Sequence, residues 1–151
     1  MAGAIRPDDW NLPLLIHVLG AMMLVGALVL AGAAMALAWR NGSAPLARLS
    51  YRALLLGAIP SWILMRAGAE WIASKEDLTA DSDLSWISIG FTTADAGIVV
   101  LLVATLCAGL ALRRARRNEG AAGLGRASAV LVSLLVVAYV VVIWAMTTKP
   151  I

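Results

Sequence analysis

Cysteine and histidine are almost absent from this chain of 151 residues, which has one of each, Cys107 and His17. That scarcity excludes an intrachain disulfide scaffold and any zinc site closed by Cys and His within one chain. Charge is scarce as well, at 14% Asp, Glu, Lys and Arg, where soluble domains average about 25%. What fills the chain is apolar: 62% of residues are hydrophobic and the mean hydropathy is +0.88. A soluble globular domain holds about 45–50% apolar residues and a disordered one fewer, so both are excluded and the lipid bilayer becomes the first expected partner. No nucleic-acid partner is expected.

Four apolar stretches, approximately 12–39, 51–73, 93–112 and 129–147, approach or exceed the roughly 20 residues that cross a hydrocarbon core. The first is longer than a bilayer needs and is expected to tilt or overrun the core. Residues 1–11 carry Asp8 and Asp9 and lack the small-residue cleavage site of a secretory signal, so the first helix is expected to stay. The expected fold is all-α: one domain over 1–151, a four-helix transmembrane bundle of two hairpins, about 12–73 and 93–147.

Orientation follows from Lys and Arg. Arg40, Arg48 and Arg52 flank the first connection, and Arg113, Arg114, Arg116, Arg117 and Arg126 flank the third, whereas Arg6, Lys75 and Lys149 are the only such residues at the opposite ends. The positive-inside rule places the basic connections in the cytoplasm and both termini outside a cell membrane crossed several times. The middle loop then lies outside. Its acidic half holds Glu76, Asp77, Asp81 and Asp83, either a cation site or a solvated run, and the spacing fits no EF-hand. Its apolar half, with Trp86, Ile87, Ile89 and Phe91, is expected at the headgroups beside Trp10, Trp71 and Trp144.

The two basic connections resemble one another. Arg40-Asn41-Gly42-Ser43-Ala44-Pro45-Leu46-Ala47-Arg48-Leu49-Ser50 aligns with 117–128 once Glu119 is treated as an insertion, and backwards the register pairs Gly20 with Gly97 and Gly32 with Gly109. Two equivalent hairpins related by a pseudo-twofold axis along the membrane normal are the expected consequence.

Packing faces in lipid are marked by small residues, because close backbone approach replaces hydrophobic burial there. His17, Gly20, Leu24, Ala27, Ala31, Ala34 and Ala38 share one stripe of the first helix, so His17 is expected to face protein. Thr92, Asp95, Ile98, Leu102, Thr105 and Gly109 follow a similar course in the third and would carry Asp95 inward. Arg66 and Glu70 stand four apart in the second helix above Pro60, where a kink would free a carbonyl. Ionisable groups are costly in a bilayer and usually pair or serve function. His17, Arg66, Glu70 and Asp95, with Tyr139 approaching from below, therefore form the candidate ligand site in the outer third of the membrane.

Each member also has a plainer reading. Thr92-x-x-Asp95 has the form of a capping box, Arg66 and Glu70 of an interfacial ion pair, and His17 of a hydrogen bond to a neighbouring helix. Met22, Met23, Met65 and Met146 offer soft ligands or simple packing, and Cys107 a small buried filler.

His17-Val18-Leu19-Gly20 followed by Val25-Gly26-Ala27 resembles the opening helix of the CopD-like group of bacterial integral membrane proteins linked to copper resistance. The resemblance covers about twenty residues. It implies a His near the outer surface that holds copper or haem, with His17 the metal ligand; a second His for haem would come from a homodimer.

Three functional classes remain open. The first is a small binding or transport module receiving a metal ion, haem or proton at the outer pocket. The second is a non-catalytic structural or accessory subunit of a larger membrane complex. The third, an enzyme, has the least support, since no Ser/His/Asp set, H-E-x-x-H or phosphate-binding loop occurs.

Overall fold

The computed structural model describes residues 11–75 and 85–147, all helical apart from two short turns. Helix α1 spans Asn11–Asn41, α2 Ala44–Arg52, α3 Ile59–Lys75, α4 Ser85–Arg116 and α5 Ala122–Thr147. A π-helical stretch, Ala53–Ala58, joins α2 to α3. Its flanking residues Arg52 and Ile59 keep right-handed helical dihedrals, so α2, the π stretch and α3 form one continuous rod. The described residues thus make four rods and no strand.

Both turns are built alike. Gly42 at φ 65 and Asn118 at φ 55 take the left-handed conformation that ends helices in a Schellman motif, which Gly and Asn tolerate best. Ser43 N–H reaches back to the Ala38 carbonyl and Glu119 N–H to that of Arg114, both at 3.0 Å. Pro45 then stands in the first turn of α2, where its missing N–H costs nothing.

The expected irregularity at Pro60 lies on its N-terminal side. Proline has no N–H to bond the carbonyl four residues back and its ring crowds that carbonyl. The turn before it loosens accordingly, and Ile59 N–H bonds the Leu54 carbonyl, five residues back.

Contacts run in opposite chain order between every adjacent pair of rods. On α1 and the second rod, the backbones meet at Gly20 with Met65, and the Ser50 hydroxyl donates to the Ala31 carbonyl at 2.8 Å. On α4 and α5, Gly97 faces Tyr139 and the Ser128 hydroxyl donates to the Ala104 carbonyl at 3.0 Å. Gly32 of α1 packs on Val132 of α5, and Gly109 of α4 on Tyr51 of α2. The rods therefore form an antiparallel ring in which α5 closes back on α1. Leu24, Leu28, Met35, Leu54, Leu101 and Val132 fill its centre. Met22, Leu56, Leu106 and Val137 stand more than three-fifths exposed on its outside. Apolar residues cover both surfaces, as in a bundle solvated by lipid.

Three helices contain stretches long and apolar enough to cross a membrane, Leu12–Asn41, Gly90–Arg116 and Ala122–Ala145. They fit a multi-pass membrane protein. The second rod does not meet that measure, because the π stretch divides it into α-helices of 9 and 17 residues.

Two expectations are corrected. α4 begins at Ser85, with no acidic residue in its first turn, so Asp95 lies about three turns inside the helix and Thr92-x-x-Asp95 caps nothing. The buried face of α4 runs through Ala94, Gly97, Leu101, Ala104, Thr105 and Ala108, with Ile98 and Gly109 partly buried beside it, and leaves Thr92, Asp95 and Leu102 exposed. In an apolar helix two stripes one residue apart look equally hydrophobic, and closeness of approach favours the one with more Ala and Gly.

Candidate functional site

The ends of α3 and α4 away from the turns touch each other sparsely, and Arg66 bridges them. Its Nη1 lies 2.7 Å from Glu70 Oε1 on the next turn of α3, and its Nε lies 3.3 Å from Asp95 Oδ1 on α4. The Glu70 contact is an ion pair by distance only, since Nη1 is buried without an aligned hydrogen bond. The guanidinium also sits 4.5 Å from the centroid of the Phe91 ring, within range of a cation–π contact. Exposure is uneven: the Arg66 side chain is 21% exposed, those of Glu70 and Asp95 58% and 60%. One half-buried cation thus serves two carboxylates that open outward.

One turn deeper, the Trp62 indole donates its N–H to the Ala94 carbonyl at 3.1 Å and locks α3 to α4. Tyr139 of α5 places its hydroxyl beside that indole. Because the indole N–H is committed to Ala94, the buried hydroxyl is left without a hydrogen bond.

His17 stands apart from this group. Its backbone rests against Gly68, and its Nδ1 is 2.9 Å from the Met65 carbonyl, in the contact between α1 and α3. A carbonyl only accepts, so Nδ1 donates this bond. A neutral imidazole in that tautomer would leave Nε2 for a single metal bond. Among the described residues no hydrogen bond or ion pair joins His17 to Arg66, Glu70 or Asp95, and no group of three His, Cys, Asp or Glu converges to hold a metal ion.

The structure therefore brings Arg66, Glu70 and Asp95 together, sets Tyr139 below them, and seats His17 in its own interface. Met22 and Met23 point outward, more than half exposed, while Met65 packs against α1. Cys107 is half-buried and unpaired. The expected cation site at Glu76, Asp77, Asp81 and Asp83 lies outside the described residues.

Sequence reasoning missed Trp62 as a member and gave Phe91 no part in the cluster. The available signal was spacing, since each aromatic precedes a charged residue by four, Trp62 before Arg66 and Phe91 before Asp95, and residues four apart share a helix face. No protein-family profile, curated protein or solved structure matches this chain.

Proposed function

We propose that this is a four-span membrane protein that binds a small cation or a proton at Arg66, Glu70 and Asp95, on the outer side of the membrane. The observation that carries the reading is the imbalance of the cluster: one guanidinium faces two carboxylates, each more than half exposed. The excess negative charge attracts a cation, and placement within a membrane-spanning bundle makes a charged group a functional candidate. The second rod supplies the fourth span, because its α and π segments are continuous and line α1 along their length. Arg40, Arg48, Arg52, Arg113, Arg114, Arg116, Arg117 and Arg126 all fall at the end with the two turns, with Glu119 the lone acid, which favours a cytoplasmic position for that end and an outer one for the cluster and both termini.

Internal duplication belongs to the same proposal. Ser50 and Ser128, paired by the loop alignment, each donate to an alanine carbonyl of the preceding rod. Gly32 and Gly109, paired by the helix register, each pack on the second rod of the other hairpin. The glycine pairing is what a pseudo-twofold axis between the hairpins requires, whereas the serine acceptors differ by one turn, since the register pairs Ala31 with Ala108 and Ser128 bonds Ala104. A copper or haem role, which the CopD-like resemblance implies, would rest on His17 Nε2 and needs its remaining ligands from a second chain.

The test is thermal unfolding of the purified protein in mild detergent with sodium, potassium, calcium or copper(II), and proton uptake measured in parallel. Binding of at least one cation or the proton, lost in Asp95→Asn and Glu70→Gln, is expected. No response in the wild type, with a partner protein that co-purifies even with Asp95→Asn, overturns the reading in favour of an accessory subunit.

A further inference from the structure

The end of the bundle opposite the Arg66 cluster carries a second feature. Between α1 and α5 lies an open groove of about 370 Å³, within the roughly 300–1,000 Å³ of small-molecule sites. Ala36 and Trp39 form one wall, Ala129, Ser133 and Val137 the other, and Arg126 stands at the mouth. Its depth has a cause: Gly125 meets Trp39 so closely that an added Cβ would lie 3.0 Å from the Trp39 Cβ, and small residues follow on both walls. The lining is otherwise apolar, because the Ser133 hydroxyl is spent on the Ala129 carbonyl at 2.9 Å.

Length and charge identify what fits. From Arg126 to Val137 the groove follows α5 for about 16 Å, close to the half-thickness, about 15 Å, of a hydrocarbon core. Arg126 is exposed and forms no ion pair among the described residues. Trp39, 38% exposed, stands at the same level, where indoles favour the headgroup region. An acyl chain satisfies the walls and an anionic headgroup the cation, and basic pockets between membrane helices are sites for such lipids.

We propose that this groove holds one anionic phospholipid, its phosphate on Arg126 and one acyl chain between α1 and α5. The full chain in detergent is mixed with phosphatidylglycerol or with phosphatidylcholine of identical acyl chains, and retained lipid is measured by native mass spectrometry. Preferential retention of a single phosphatidylglycerol is expected. Arg126→Ala should weaken it about five-fold, the usual contribution of one basic residue near an anionic surface. Val130→Trp fills the groove from its open side, where Val130 is 50% exposed and outside the core, and should abolish retention. Arg48→Ala, also exposed but away from the groove, should leave it unchanged. Equal retention of the two lipids overturns the proposal. So does an Arg48→Ala loss equal to that of Arg126→Ala, which means diffuse attraction to the basic end, or normal retention by Val130→Trp, which puts the chain outside the groove.

Discussion

Replacing Gly20 by alanine is expected to destabilise the bundle by about 1–3 kcal/mol, the usual cost of overpacking. A Cβ at Gly20 would lie 2.5 Å from the Met65 backbone nitrogen and 2.8 Å from its Cα. Those atoms belong to a helix backbone and cannot rotate away, so α1 and α3 must separate along that contact. Gly68, whose added Cβ would meet the His17 backbone nitrogen at 2.7 Å, should behave the same way and also strain the His17 bond to Met65. Gly26 supplies the contrast, since nothing lies within 4 Å of its added Cβ. Gly26→Ala should therefore be neutral or stabilise by up to about 1 kcal/mol, as alanine does in a helix. Unfolding by denaturing detergent, followed by circular dichroism, reads all three; equal behaviour of Gly20→Ala and Gly26→Ala would contradict the packing described.

Arg66→Leu is expected to cost about 1–2 kcal/mol and to loosen α3 from α4. Each ion pair with a half-exposed carboxylate contributes less than about 1 kcal/mol after solvent screening, and the Phe91 contact about 0.5–1 kcal/mol. Glu70 and Asp95 would then remain as neighbouring like charges. The readable signature is coupling: Arg66→Leu combined with Asp95→Asn should cost less than the two single changes together, by about 0.5–1 kcal/mol. Strict additivity would mean that Arg66 and Asp95 do not interact. Arg66→Lys should fall between, because one ammonium on a flexible stem replaces a fork that reaches two carboxylates and stacks on a ring.

How much of this was legible in the sequence depended on what carries contrast in an apolar chain. The α1 stripe was readable, because His17, Gly20, Leu24, Ala27, Ala31, Ala34 and Ala38 mark a face where backbones approach, and all are buried except His17 and Ala27, which are half-buried. Arg66 with Glu70 was readable from spacing alone. The α4 stripe was half right: Ile98, Thr105 and Gly109 pack inward, but Thr92, Asp95 and Leu102 are exposed, since lipid-facing and protein-facing positions are equally apolar there. The separation of His17 from Arg66 was hidden as well. Depth puts both in the same layer, but the azimuth of each helix, set by Gly20 and Gly68, turns His17 onto α3 while Arg66 faces α4. The π stretch left only Pro60 as its sign: a proline loosens the turn before it, but does not say whether that turn kinks or widens to π.

In the proposed topology the second rod crosses the membrane and presents the Arg66 cluster to the outside. Ser43 and Ser74 bracket that rod, at the turn and near its far end. Labelling single cysteines at these positions in intact cells, in a Cys107→Ala background, with a reagent that cannot cross the bilayer, tests it directly. Ser74→Cys should be labelled from outside and Ser43→Cys only after the membrane is opened. Labelling of both from one side would show that the rod does not span, and the reverse pattern would place the cluster in the cytoplasm; either overturns this topology.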